Sequence, residues 1–570
     1  MNLLSRPAWW FAVPLALLLA ACTSNHYRRS ADNEVYAAIQ AKSKNVEDMD
    51  ARFTIEQTNK ISLERLPQTT NAPEFLGPYG AREVGARVLR LEDALGVGVA
   101  TSRSYQSRKE QLYLSGLSLT LARHQFAPLF SGSGNVDFQV QPQLGTVIEP
   151  DPITGLPTVV TTDNIVEQQS VTGSGSLGAS WLIRDVGRIT AAATADFLRF
   201  VSGNPALAMS SQLGATFTRP LLRDANFKQE TENLTQAERQ LLYDLRDFTR
   251  YRKDFSVQIA TSYYGVLGDR DAVRNSFLNF QSSRKNAERG RAMGQEGRMT
   301  QSDLGRLEQQ ELSAESVWNN GLHNYQQSLD NLKFQLGLPV DAHIVLEDQE
   351  LQQLRILDPD LSVEDSINIA LVARLDYANA KDQLADAERK VKVAANFLKP
   401  QADLVANVAV PSNPSAVGVA LPEPSRYSWS AGLNFDLGLD RLAERNNFRA
   451  SLIARDQAAR ALEQQEDQVR LQVRESWRTL DQAKRNYQIS DVGVQIAERR
   501  LEEQNLLSDL GRAKAQDLVD AQNALIDSKN QLTQALVTHT IARLQFWDNL
   551  GILYLKDNGQ WEEIQNAKTE

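Results

Sequence analysis

Cysteine and histidine are almost missing from these 570 residues, with one of the former and five of the latter. A lone cysteine, Cys22, excludes an internal disulfide framework. His26, His124, His323, His343 and His539 are scattered, with no pair at metal-ligand spacing. No nucleophile elbow and no phosphate loop is present. Gly173-Ser174-Gly175-Ser176-Leu177-Gly178 matches the dinucleotide fingerprint as a string, but the residues after it alternate like a strand and open no helix, so it reads as glycine-rich strand. The chain is therefore not expected to be an enzyme, and no cofactor or metal is expected. Basic residues are also outnumbered, 61 against 71 acidic, for a net charge of −10, which speaks against nucleic acid as a partner. After Cys22 no apolar run approaches the ~20 residues of a membrane-spanning helix. If the chain crosses a membrane, it does so with strands. Proline is absent from 221–338 and after Pro424, which leaves room for very long helices.

The first 21 residues read as an address. Arg6 precedes an apolar run from Trp9 to Ala20 that ends in Leu19-Ala20-Ala21-Cys22. That ending resembles the bacterial lipobox, with Cys22 as the lipidated first residue of the mature chain. Loss of Arg6 with the leader brings the balance to 60 basic against 71 acidic residues, a net −11. Residue 23 is Thr rather than Asp, which favours passage to the outer membrane. Residues 22–90 form a polar, lipid-anchored extension, broken by Pro67, Pro73 and Pro78 and with a short helix expected near Asn33–Lys44.

What the chain does contain is the same unit twice. An offset of 214 carries Gly297-Arg298 onto Gly511-Arg512, Asp303-Leu304 onto Asp517-Leu518, and Leu336-Gly337 onto Leu550-Gly551. An offset of 272 carries Glu92-Asp93 onto Glu364-Asp365, Tyr105 onto Tyr377, and Pro128 onto Pro400. The organisation that follows is a leader (1–21), the extension (22–90), a first repeat (91–338), a linker (339–362), a second repeat (363–553) and a tail (554–570).

Each repeat opens with a helix, expected over 91–126 and 363–398, that a proline stops. The period then changes from helical to alternating. Strands are expected at 401–410 and 427–437 in the second copy, and at 133–141, 171–183, 188–201 and 212–220 in the first. Pro128 to Phe217 spans 89 residues where Pro400 to Phe435 spans 35, so the first repeat carries 54 extra residues, read as a long proline-containing loop (143–170) and an additional hairpin. Long helices follow, such as 441–508, with Val469, Val473, Trp477, Leu480, Ala483 and Tyr487 on one stripe. At 1.5 Å per residue such a helix runs roughly 100 Å and needs partners along its length. The Gly297 and Gly511 turns supply them by reversing the chain.

Asp517 and Asp520 lie i, i+3 in the first turns of the returning helix, on one face. Held so close, like charges cost stability unless water or a cation compensates. They suit either a helix N-terminus with a solvated face or the wall of a narrow pore. The four to six strands cannot close a membrane barrel, for which eight is about the minimum, so several chains would share one. A small periplasmic sheet is the rival reading.

Taken together, LEDAL (91–95) with Tyr105, the stretch VEDSINIALVARLDYANAKDQLADAERKVKVAA (363–395) before Pro400, TRPLLRD (218–224), and the closing QLGL and NLGI resemble the TolC-like outer-membrane efflux protein family. The resemblance covers nearly all of 91–553. It implies a mixed, mainly α, internally duplicated fold: antiparallel coiled-coil helices forming a periplasmic α-barrel, continuous with a transmembrane β-barrel shared among three chains. It implies a homotrimeric exit duct fed by an inner-membrane transporter and a periplasmic adaptor. Asp517 and Asp520 would constrict its periplasmic gate, while Gly297, Arg298, Asp303, Gly511 and Arg512 would form the adaptor-contacting turns. Ala513 stands where family members can carry a basic latch residue, so a latch here would use Arg512 or Lys514. The extra hairpin either widens the barrel beyond twelve strands or folds outside it. The competing class is an adaptor or structural coiled-coil lipoprotein, which normally has one hairpin, not two alternating with strands.

Overall fold

The computed structural model describes residues 24–49, 53–56, 63–70, 72–150, 155–201, 207–356, 359, 361–413, 421–510, 512, 514–556, 559 and 561. The leader, Cys22 and Gly511 lie outside the described residues. Two compact units result, one from 1–116, 241–383 and 459–570, the other from 117–240 and 384–458.

The duplication holds to the residue in the long helices. Helices α1 (Ser24–Ser43), α2 (Leu91–Thr101) and α3 (Arg103–His124) precede α4 (Lys228–Gln295) and α5 (Gln301–Leu336). In the second repeat, α6 (Val363–Ala373), α7 (Leu375–Phe397), α8 (Leu442–Asp509) and α9 (Ala515–Leu550) follow the same order. Both outgoing helices have 68 residues and both returning helices 36. The stripe on α8 is the buried one: Val469, Val473, Leu480 and Ala483 pack with Ile367, Tyr377 and Phe546, and the Trp477 indole donates to the Leu361 carbonyl (3.3 Å).

Three expectations are corrected. The N-terminal helix starts at Ser24 rather than near residue 33, because Val35, Ala38 and Ile39 are buried and the Tyr113 hydroxyl donates to Asp32 (2.6 Å). The opening helices of both repeats are interrupted, at Ser102 and at Arg374, where the backbone turns extended. The cause is tertiary. Gly337, at φ +75°, ends α5 directly against the Thr101 carbonyl, and Gly551, at φ +81°, ends α9 against Ala373. Thr101 donates to the Leu336 carbonyl (2.6 Å), and Lys253 to that of Gly551 (3.0 Å). Beside the second turn, burial and the neighbouring Asp254 push the Asp548 carboxyl up to about 8. At Gly337 the left-handed backbone and the close carbonyl act together. Gly337→Ala is expected to cost about 2 kcal/mol or more, read as a lowered melting temperature of the purified protein; an unchanged melt would contradict this packing.

The third correction concerns residues 143–170. Residues 143–150 and 157–170 are not a loop but the outer part of a hairpin, while 151–154 lie outside the described residues. Strands β2 (Leu129–Pro150) and β3 (Pro157–Ile183) pair antiparallel out to Pro150 opposite Pro157. Proline marks a loop in most contexts, but Pro150 and Pro157 stand at the paired ends of β2 and β3, where a missing N–H need not break the ladder. With β4 (Gly187–Phe200), β5 (Leu207–Pro220), β7 (Gln401–Pro411) and β8 (Ser428–Asp436) they form one antiparallel sheet in the order β2-β3-β4-β5-β7-β8. This sheet belongs to the second unit.

In the first unit the N-terminal extension and the inter-repeat linker meet. β1 (Arg87–Leu89) runs parallel to β6 (Ile344–Leu346), and the Tyr263 hydroxyl donates to the Leu89 carbonyl (3.0 Å). Below them Arg270, 5% exposed, donates to Glu83 (2.7 Å) and to the Tyr325 hydroxyl (2.7 Å) and pairs with Asp348 (2.8 Å), while its guanidinium lies over the Phe75 ring. Segment 63–89 is thereby fixed to the first hairpin.

Candidate functional site

The two helical reversals are built alike. At the first, Gly297 takes φ +70° and the Arg298 amide reaches back to the Met293 carbonyl (2.9 Å). At the second, the Arg512 amide reaches the Leu507 carbonyl (2.8 Å), the same five-residue span. They differ at the start of the returning helix. Thr300 caps α5: its hydroxyl accepts from the Asp303 amide (3.1 Å) and donates to the Asp303 carboxylate (2.7 Å). The equivalent Lys514 makes no such cap for α9, so Asp517 has no capping hydroxyl. Asp517 and Asp520 are both exposed, and the Gln516 amide donates to Asp520 (2.8 Å).

Between the hairpins runs a polar seam that sequence reading missed. Arg306 donates to Gln516 (3.0 Å), Gln310 to Asn523 (2.7 Å), Gln522 to Ser282 (2.6 Å) and Thr533 to Asp271 (2.8 Å). Within the first hairpin, Arg291 clamps Glu308 (3.0 Å) and Glu311 (2.6 Å). Net hydrogen-bond contributions of about 1 kcal/mol each make such a seam separable in a way that an apolar core is not. The signal was available: Arg306 and Gln310 stand four apart on one helical face.

The sheet of the second unit carries a candidate surface of its own. Directly paired residues share a face, so one row can be followed across five strands: Gly132, Leu177, Ala193, Leu213 and Val410. The next row reads Phe130, Ala179, Ala191, Ala215, Val408 and Trp429. Rows one residue away are polar or small: Ser133, Ser176 and Thr194 lead to Gln212, and Ser131, Gly178, Ala192 and Gly214 form the neighbouring row. On β5 the apolar band is bounded by the Arg199–Leu207 pair and by Arg219, leaving positions 208–218 between them. That is about the 9–11 residues a tilted strand needs to cross a bilayer. The apolar face is bare, with Phe130 83% and Leu177 70% exposed. Among the described residues, no helix is long and apolar enough to cross a membrane.

The sequence matches no protein-family model and no curated protein. Solved structures do match. The CmeC outer membrane channel of Campylobacter jejuni superposes with a TM-score of 0.59 at 12% identity, covering 84% of this chain and 87% of that one. The outer membrane protein VceC of Vibrio cholerae gives 0.57 at 13% identity, covering 81% and 96%. The open state of the Neisseria gonorrhoeae MtrE outer membrane channel gives 0.57 at 13% identity, covering 81% and 89%. With its duplicated hairpins and its two-faced sheet, this chain has the TolC-like outer-membrane factor fold.

Proposed function

We propose that the protein is the outer-membrane exit duct of a tripartite efflux or secretion system. The single observation that carries this reading is the bare apolar face spanning six strands, backed by a polar face. In water that face would be a liability; in lipid it is the expected exterior of a barrel wall, with the polar face lining the conduit. Three chains assemble, their strands closing one barrel and their hairpins forming a periplasmic tunnel. The lipid on Cys22 anchors each copy to the inner leaflet of the outer membrane. Substrate arrives from an inner-membrane transporter through a periplasmic adaptor that seats on the turns at Gly297-Arg298-Asp303 and Gly511-Arg512. The duct itself catalyses nothing.

At the closed tip three copies of Asp517 and Asp520 form an acidic ring. Opening separates the polar seam at Arg306–Gln516 and Gln310–Asn523. Single-channel conductance of the purified protein in a planar bilayer tests this reading. The wild type is expected to show a small, cation-preferring conductance. Asp517→Ala/Asp520→Ala is expected to raise it several-fold and to weaken block by divalent cations. Unchanged conductance and block in the double variant would remove the gate assignment; no conductance from well-folded protein in either form would remove the duct.

A further inference from the structure

We infer that the barrel has eighteen strands, six per chain, and that the extra hairpin of the first repeat is part of its wall. The inference rests on the exit-duct reading and adds the seam through which copies join. Strand β3 pairs with β4 in continuous antiparallel register, and β2 with β3 in register from Leu129 to Leu144 before a shift at Leu144/Thr146, so the hairpin continues the sheet at its edge and does not fold aside. Six strands cannot close alone, and among the described residues neither outer strand has a second neighbour: all nine residues of β8 are exposed, as are residues 131–142 of β2. With an even number of alternating strands, β8 of one copy meets β2 of the next antiparallel.

The internal duplication supplies the register of that seam. Within the chain, the last strand of the first repeat (β5) pairs with the first strand of the second (β7), setting Phe217 opposite Ala406 and Ala215 opposite Val408. The equivalent junction joins the last strand of the second repeat (β8) to the first strand of the first repeat (β2) in a neighbouring copy. Carrying β5 onto β8 by Phe217 to Phe435, and β7 onto β2 by Pro400 to Pro128, sets Phe435 opposite Gly134, Leu433 opposite Val136, and Trp429 opposite Val140. An independent feature agrees. On β8 the odd positions and on β2 the even ones belong to the apolar face, and the transferred register joins odd to even at every pair. A slip of one residue would set apolar against polar throughout. Phe435 over Gly134 also repeats an arrangement inside the sheet, where the Phe197 ring fills the space above its partner Gly173. At about 4.8 Å between strands and a tilt near 40°, eighteen strands give a backbone diameter of roughly 36 Å, against roughly 24 Å for twelve.

Disulfide trapping in outer membranes from cells making the full-length protein tests the seam, since Cys22 is the only native cysteine. Leu433→Cys/Val136→Cys is expected to oxidise to covalent dimers and trimers, and Trp429→Cys/Val140→Cys to do the same. Leu433→Cys/Asp137→Cys, which points to opposite faces, is expected to stay reduced, and single variants to remain monomeric on denaturing gels. Outer-membrane trimers in which neither matched pair cross-links would overturn the eighteen-strand seam while leaving the duct standing. Absence of trimers from the wild-type outer membrane would overturn both.

Discussion

Leu213→Arg is expected to abolish outer-membrane assembly, whereas Gln212→Arg, its immediate neighbour, leaves it nearly intact. Leu213 is the midpoint of the apolar band on β5, flanked on its own face by Ala193 and Val410. Gln212 lies on the polar face, opposite Thr194. An arginine facing lipid at mid-depth costs about 2–4 kcal/mol, so three copies per assembly would lose roughly 6–12 kcal/mol. Arginine on the lumenal face stays in water. The check is the amount of heat-modifiable trimer in the outer-membrane fraction of the two variants. Equal loss in both, or in neither, would show that the two faces are not sorted between lipid and water.

Arg270→Met is the second large effect, and it strikes the first unit rather than the sheet. The guanidinium is the shared partner of Glu83, Tyr325 and Asp348, and Glu83 is only 8% exposed. Its loss strands a buried carboxylate, which typically costs about 3–5 kcal/mol. The damage is expected to appear first as release of segment 63–89, because Glu83 is that segment's charged tie to the hairpin. Limited proteolysis should cut there in the variant and not in the wild type. Arg270→Met/Glu83→Gln should recover much of the loss, since the second change removes the stranded charge. A double variant no better than the single would mean that arginine acts here by packing against Phe75 rather than by pairing.

Much of this architecture is legible in the sequence, because duplication writes the same helix bounds twice. Offsetting Lys228–Gln295 and Gln301–Leu336 by 214 reproduces both later helices to the residue. What escaped reading depends on contacts distant in sequence. Nothing near Ser102 or Arg374 breaks a helix; the breaks come from Gly337 and Gly551, which press in from the ends of other helices. The parallel pair Arg87–Leu89 and Ile344–Leu346 joins two segments that each look like linker. Strand pairing over 143–150 and 157–170 is hidden in the sequence because proline punctuates loops far more often than it closes the end of a ladder, as Pro150 and Pro157 do here. At the reversals, the Gly-Arg turns and the acidic pair could be named from spacing. The seam through Gln516 and Asn523 could not, because it needs the two hairpins side by side.

The account stands or falls on whether the sheet lies in lipid with its odd β5 positions outward. Cysteines placed singly from Met209 to Phe217, in protein reconstituted into vesicles, can be probed with a lipid-phase quencher and a water-soluble thiol reagent. The predicted result is strict alternation: positions 209, 211, 213, 215 and 217 quenched from the lipid, and 210, 212, 214 and 216 reached from water. Uniform access from water along the strand would contradict the account and leave a periplasmic sheet in its place.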